Sequence, residues 1–346
     1  MGGDHGLKST VPAAVEAVRR YPELTLILVG NDKSIRRLLK RCKGDKHSRI
    51  KVHHASEVVA MDESPSQALR SKKDSSMRVA INLVKEGKAQ ACVSAGNTGA
   101  LMATSRFVLK MIPGIDRPAI IYAIPTLDKA TGKQSTVHVL DLGANVDCNA
   151  ETLFQFGIMG SVHHGCVNPK CKRPRTALLN IGEEEMKGLE PIRQAAKMFQ
   201  ECEFINYIGF VEGNDVFWNK ADVIVCDGFV GNVALKTIEG TAQFFGYQVK
   251  SAFESSWLAK ISAIFALPVL SKIKKKLDMR RYNGASFIGL RSIVVKSHGG
   301  ADSVAFLNAI VEAINEVEQD VPSKIGHQVT TILGQRDHDA NQNKNS

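Results

Sequence analysis

Among 346 residues there is no uninterrupted apolar run of the ~18 to 20 that a bilayer-spanning helix needs. The most apolar stretch, Ile261 to Leu270, is broken by Ser262 and Pro268. The opening residues Met1-Gly2-Gly3-Asp4-His5 lack the basic flank and apolar segment of a secretory signal, so the expected compartment is the cytoplasm. Cysteine is scarce and odd in number, seven in all, with Cys92 and Cys226 inside expected strands; these are buried reduced thiols rather than a disulfide framework. His163, His164, Cys166 and Cys171 are the nearest thing to a zinc motif, but no second pair follows and Pro169 and Pro174 mark a loop, so no metal is expected. Gly-x-Gly-x-x-Gly, Gly-x4-Gly-Lys-Ser/Thr and Gly-x-Ser-x-Gly are all missing, which removes the simplest nucleotide and serine-hydrolase chemistries. So is His-x4-Asp: His298 and Asp302 are four apart. Helix-turn-helix, RNA-recognition and zinc-finger signatures are lacking too, so nucleic acid is not an expected partner.

What is present suffices for a large core. The chain is 44% hydrophobic and 23% charged, enough for one large α/β unit or two domains, and its net charge of +10 favours an acidic partner or an anionic surface. Strands expected at Leu24 to Val29 and Ile50 to His54 alternate with helices expected from Val11 to before Tyr21 and from Gly30 through Lys43. The alternation continues to about Gly182, which implies a mostly parallel sheet with helices on both faces. Ala119 to Ile124 and Thr136 to Asp141 flank a hairpin-like excursion, Ser292 to Lys296 is a late strand, and the last expected helix spans Asp302 to Val321.

One local device recurs: apolar strand, glycine, small polar residues, helix. It occurs at Val93 to Gly99, Leu140 to Asn145, Leu179 to Glu183 and Val223 to Lys236. In the last of these, Asp227, Gly228 and Gly231 separate a β-branched strand from a helix expected to begin at Asn232. Helices that open at the carboxyl ends of strands direct unpaired N–H groups into the crevice, which suits an anion, although glycines also serve simply as tight turns. The loops supply Asn97, Thr98, Asn145 and Asn232, with Lys187 following Glu183-Glu184-Glu185. Such a site has donors without an obvious protein nucleophile. It suits a reaction whose nucleophile is a bound oxyanion. The cations Arg70, Lys72, Lys73 and Arg78 are either a solvated surface or a ring about that anion.

From Thr237 to about Ile273 the pattern is long and helical, carrying Phe244, Phe245, Tyr247, Trp257, Ile261, Ile264 and Phe265. Core or dimer packing is the ordinary explanation. The basic run Lys272 to Arg281 that follows, with Pro268 bending the segment, instead fits a helical hairpin of about 240–282 that touches lipid through Trp257, Ile261, Ile264 and Phe265. Residues 335–346 are expected to be a disordered polar tail beyond a single domain at 1–334.

Seven stretches, in order, resemble the bacterial phosphate acyltransferases of phospholipid synthesis, the PlsX family. They are Met1 to His5, Ser94 to Met102, Asp141 to Asp147, Ile158 to Ser161, Leu178 to Gly182, Asp227 to Val233, and Tyr282 to Ala285 with Lys296 to Gly299. The resemblance implies a three-layer α/β/α fold of the isocitrate/isopropylmalate dehydrogenase kind. It implies acyl transfer from acyl carrier protein to inorganic phosphate, giving the acyl phosphate used by a downstream glycerol-3-phosphate acyltransferase. It further implies no cofactor, a homodimer, and peripheral attachment to the membrane. Carried across by motif, Lys187 and Asn232 are assigned to catalysis, and Asp4, Asn97, Thr98, Asn145, Gly228, Gly231 and His298 to substrate binding. A phosphate acetyltransferase using coenzyme A, a dehydrogenase of the isocitrate type and a non-enzymatic basic membrane adaptor are the alternatives. The clustered arginines and paired aspartates that such a dehydrogenase needs are not apparent. One departure stands out: the family's short apolar strand ahead of this motif is missing before Met1, and about six to nine upstream residues would restore it.

Overall fold

The computed structural model describes residues 1–276 and 278–344, with side chains outside the description at 273–277, 279 and 336–346. In chain order the elements are α1 (Leu7–Arg20), β1 (Leu26–Gly30), α2 (Asp32–Arg41), β2 (Ile50–His54), α3 (Pro65–Ser71), α4 (Ser76–Lys85), β3 (Ala91–Ser94), α5 (Thr98–Leu109), β4 (Ala119–Leu127), β5 (Gln134–Leu140) and α6 (Ala150–Val167). Then follow β6 (Arg175–Leu179), α7 (Glu190–Gln200), β7 (Asn206–Val211), β8 (Val223–Val225), α8 (Gly228–Glu254), α9 (Trp257–Lys276), β9 (Ala285–Ile288), β10 (Ile293–Lys296), α10 (Ser303–Glu318) and α11 (Val321–Lys344). The expected polar tail lies almost wholly outside the described side chains.

Eight strands form one sheet in the order β3-β10-β9-β4-β5-β8-β6-β7. Pairing is parallel at β3/β10 and from β5 through β8 and β6 to β7, and antiparallel from β10 through β9 and β4 to β5. The excursion between β4 and β5 is a true hairpin, longer than its apolar runs suggested, pairing Tyr122 with Val139 out to Leu127 with Gln134. Each sheet face has its own core. Phe154, Phe156, Met159 and Phe199 gather under α6, α7 and α11 on one side; Ile81, Leu101, Ile124 and Phe287 gather under α4 and α5 on the other. The result is the expected α/β/α sandwich.

Helix α11 follows the helix expected to be the last, which ends at Glu318 rather than Val321, and three further differences from the sequence reading each have a local reason. Helix α1 begins at Leu7 rather than near Val11, with Pro12 tolerated inside it and Thr10 donating its hydroxyl proton to the Gly6 carbonyl instead of capping. Helix α8 begins at Gly228 rather than Asn232, because the Asp227 carboxylate accepts the Val230 N–H at 2.9 Å and is therefore the cap. The hairpin of long helices turns at Ser255 and Ser256, and α9 runs on through Pro268. Among the described residues α8 buries only Gly228 and Gly231, and Trp257, Ile264 and Phe265 are 69%, 63% and 80% exposed, so the pair protrudes from the body. No helix among the described residues is long and apolar enough to cross a membrane.

The sheet is interrupted. Strands β1 and β2 pair only with each other, in parallel, and β3 is an edge of the main sheet. Between β1 and β3 lies a slot of about 860 Å³, walled by Leu26, Leu28, Cys92 and Val93 and roofed by α1, α4 and α10. Met1 sits at its end, beside the carboxyl termini of both strands: the Asn31 N–H reaches the Met1 sulfur at 3.0 Å, and Gly2 lies against Gly96.

Candidate active site

At the carboxyl edge of the main sheet, the turns after β3, β5 and β10 and the first turns of α8 enclose a cleft of about 580 Å³. Of the residues expected to act, Thr98, Asn145, Asn232 and His298 line it together. Their availability differs. Asn232, on the second turn of α8, is exposed and its amide has no hydrogen-bond partner among the described residues, a consequence of Asp227 having taken the capping role. Thr98 opens α5, and the N–H groups of Thr98 and Gly99 find no acceptor among the described residues, as expected for the first turn of a helix. His298 accepts the Gly300 N–H through Nδ1 at 3.1 Å, which leaves Nε2 as the N–H of the neutral ring. Its own backbone N–H is held by Asn283 Oδ1 at 3.0 Å, and Asn283 is fixed in turn by donating to Ser297 Oγ and the Ala305 carbonyl, both at 2.8 Å.

Asn145 is spent on the scaffold: its Nδ2 donates to the Pro118 carbonyl at 2.8 Å and to the Asp141 carboxylate at 2.9 Å. Asp141 is fully buried and also accepts from the backbone of Ile120, Ala144 and Asn145. Burial raises its pKa, and these four donors pull against the rise. Gly228 and Gly231 lie behind the cleft wall, where α8 presses on this loop. A Cβ at Gly231 would fall 2.0 Å from the Asp141 carbonyl oxygen, and one at Gly228 would fall 2.6 Å from that of Asn145. Their necessity is close approach of backbone to backbone.

Asn97 is likewise structural. It caps α5 through Ala100 and donates to the carbonyls of Ala60, Met61 and Glu63, pinning the preceding loop. Asp4 stands beside the cleft rather than in its lining, its N–H bonded to the Gly299 carbonyl at 3.0 Å. Lys187 is not brought into the cleft. It lies on the β6–α7 loop, half exposed, paired with Glu184 at 2.8 Å, and that carboxylate raises its pKa. Trp257, Ile261, Ile264 and Phe265 stand apart on α9.

Sequence reasoning missed Lys296, which lines the cleft at the end of β10 and is 8% exposed. Burial lowers its pKa to about 8, with Asp4 pulling it back up and Lys236 pushing it down. Its signals were its place at the head of the matched stretch Lys296 to Gly299 and its closing of the otherwise apolar strand Ile293-Val294-Val295-Lys296, where a charged residue passes for a terminator. Arg106, also in the lining, was missed as well; it stands one residue before Phe107, whose exposed ring lies 5.4 Å from the Arg78 guanidinium and 5.0 Å from Lys110.

The thiols near the site are held protonated. Burial, then Asp141, pushes Cys148 up to about 12, and the same causes raise Cys226. Neither supplies a thiolate nucleophile. Among the described residues two side-chain sets have a geometry that would accept a cation, His164 with Cys171 and Asp222, and His163 with Glu312 and Glu316. Cys166, drawn with the first set from sequence, does not join it. Both sets have internal charge partners: Arg175 holds both Asp222 oxygens, and His163 donates toward Glu316 at 3.1 Å, with the Glu316 and Glu312 charges raising its pKa against the effect of burial.

The model of the family described as "Fatty acid synthesis protein" matches residues 1–324. A phosphate acyltransferase from Francisella tularensis subsp. tularensis is 54% identical over 340 residues, covering 96% of this chain and 97% of that relative, and one from subsp. novicida matches equally. The chain belongs to the phosphate acyltransferase family. It is therefore an acyltransferase, and the non-enzymatic adaptor reading falls. Among solved structures, a phosphotransacetylase from Streptococcus pyogenes superposes with a TM-score of 0.58 at 16% identity, covering 91% of this chain and 92% of that one. The EutD phosphotransacetylase from Staphylococcus aureus gives 0.54 at 14% identity, covering 90% of each chain. At those identities the likeness shows the fold that this chain shares with them.

Proposed function

We propose that this enzyme moves a fatty acyl group from the thioester of acyl carrier protein to inorganic phosphate. The observation that carries the reading is the cleft itself: donors converge on it from several loops, the thiols nearby are held protonated, and the lining carboxylate Glu239 is paired with Lys236, so the attacking atom comes with the substrate. A phosphate oxygen attacks the thioester carbonyl, forming the C–O bond. The C–S bond then breaks, and the departing thiolate takes up the proton of hydrogen phosphate, leaving acyl phosphate and free thiol. Asn232 donates to the carbonyl oxygen as negative charge builds there. One such donor is typically worth about 2.7 to 4 kcal/mol in the transition state. Lys187 is assigned the same role from the adjoining loop, which requires it to exchange Glu184 for substrate. Asp4, Thr98 and His298 complete the substrate's surroundings, while Asn97, Asn145, Gly228 and Gly231 hold the loops in place.

A protein-borne thioester is favoured over coenzyme A by Arg106 in the cleft lining and by Arg78 and Lys110, which lie over the exposed ring of the next residue, Phe107; none of these cations has a carboxylate partner among the described residues. In the same reading the acyl phosphate passes to a glycerol-3-phosphate acyltransferase, and the enzyme is a homodimer in the cytoplasm. The α8–α9 hairpin rests it on the inner face of the cell membrane through Trp257, Ile261, Ile264 and Phe265. Each lysine near an anionic surface contributes on the order of 1 kcal/mol, and each apolar side chain up to ~1.5 to 3 kcal/mol if fully inserted. Incubation with palmitoyl-carrier protein and labelled phosphate tests the reaction. Labelled acyl phosphate is expected; phosphate left unlabelled by acyl groups, or transfer only from acetyl-coenzyme A, overturns the assignment.

A further inference from the structure

The geometry points to Lys296 as the cation that binds the phosphate acceptor, a substrate contact within the reaction proposed above and resting on that reading for the identity of the anion. A buried ammonium is costly unless a counter-charge meets it. Lys296 has none: among the described residues no carboxylate lies within ion-pairing distance, and its Nζ touches only the carbonyl of the neighbouring Ser297. Every charged group around it leaves the deficit standing. Asp4 acts on it only at a distance, Lys236 and the cleft's Arg106 are further cations, and Glu239, also in the lining, is already paired with Lys236 at 2.7 Å.

An uncompensated buried cation in the wall of an open cleft marks where an anion arrives from solution. The same cleft is lined by Thr98 and Gly99, whose free N–H groups add the positive end of the twelve-residue helix α5. Asn232 and His298 offer uncharged donors beside them. A small tetrahedral dianion carries the charge that answers the ammonium and enough acceptor oxygens to take up donors of this kind. A carboxylate has too few oxygens, and an apolar ligand would leave the ammonium stranded. Lys187, the lysine the sequence favours, already has its carboxylate and lies outside the lining.

The test titrates inorganic phosphate into the full-length protein and reads both binding heat and thermal midpoint. For wild type, phosphate raises the midpoint, and the affinity declines as pH rises through about 8, where Lys296 loses its proton. Lys296→Met is expected to melt higher than wild type without phosphate, since it removes the buried charge, and to lose at least tenfold in phosphate affinity. A Lys296→Met protein that binds phosphate within twofold of wild type overturns the proposal. Should that variant not fold, amine labelling of wild type followed by peptide mass analysis decides: saturating phosphate must protect Lys296, and unchanged labelling overturns it. Phosphate binding that depends on Lys296 in a protein making no acyl phosphate would sustain the anion site while the acyl-transfer reading falls.

Discussion

Joining an extended apolar segment of six to nine residues ahead of Met1 is predicted to fill the slot between β1 and β3 and to stabilise the protein by several kcal/mol. The direction of the chain is already set. Met1 lies beside Gly30 and Gly2 beside Gly96, at the carboxyl ends of the two strands, so residues ahead of them run back between β1 and β3 parallel to both. Six residues at about 3.3 Å each span the edges on offer, which are five and four residues long. Three large apolar side chains in the 860 Å³ slot are worth roughly 7 kcal/mol at ~1.5 to 3 each. About six backbone hydrogen bonds to two unpaired edges add roughly 6 kcal/mol at ~1 each. Ordering six residues costs about 9 kcal/mol. The net is about 4 kcal/mol, or about 5 °C in thermal midpoint for a chain of this length. A further gain comes from the Met1 ammonium, whose pKa burial lowers and which becomes an uncharged amide.

The assay compares thermal midpoints of this chain, a chain with the apolar segment, and one with a Gly-Ser segment of equal length. Amide exchange in β1 and β3 reports whether their free edges become protected. An apolar extension that melts no higher than the Gly-Ser one, or that leaves both edges exchanging freely, refutes the reasoning.

Four further outcomes are expected. Asn232→Ala and Lys187→Ala each lower turnover at least tenfold with circular dichroism unchanged, because both are assigned to charge present only in the transition state; wild-type rates in either remove that residue from the mechanism. Gly231→Ala destabilises by about 3 kcal/mol or more in thermal or urea unfolding, since its Cβ would meet the Asp141 carbonyl at 2.0 Å and backbone must move; an unshifted midpoint would show that α8 rides free of the loop. Glu312 is raised to about 7 by burial, then by Glu316, with His163 opposing. Its folded pKa lies above the unfolded value, so its favourable contribution is full below about 4.5 and lost as pH climbs through about 7; relative to Glu312→Gln, wild type should lose stability across that window, and parallel pH profiles would contradict it. Replacing Ile261 and Phe265 by Glu should abolish co-sedimentation with anionic vesicles while leaving the oligomeric state intact, whereas retained binding or collapse to monomer assigns the hairpin to packing between copies.

The alternation of apolar strands with helices made the sandwich legible, because a short continuous β-branched run such as Val223 to Val225 has one stable home, a strand buried on both faces. The recurrent glycine loops made the site's location legible too, since such loops fall at the carboxyl edge of a parallel sheet whatever the details. What they did not disclose was which polar side chains remain free. Asn97, Asn145 and Asn232 are chemically identical and each follows a glycine-bearing turn. Yet Asn97 spends its amide on three carbonyls of a loop some 34 to 37 residues away, Asn145 on Pro118 and Asp141, and Asn232 on nothing, because Asp227 caps α8 one turn earlier. That distinction depends on what the fold lays across each loop. The two lysines make the same point with opposite sign. Lys187 follows three glutamates, and its local carboxylate both attracts notice and satisfies its charge. Lys296 closes a strand of apolar neighbours and is passed over for a site role even within a matched stretch, and the isolation that hides it in the sequence leaves its ammonium without a counter-ion among the described residues. In a site built to receive an anion, the telling cation is therefore the one whose sequence neighbours offer it nothing.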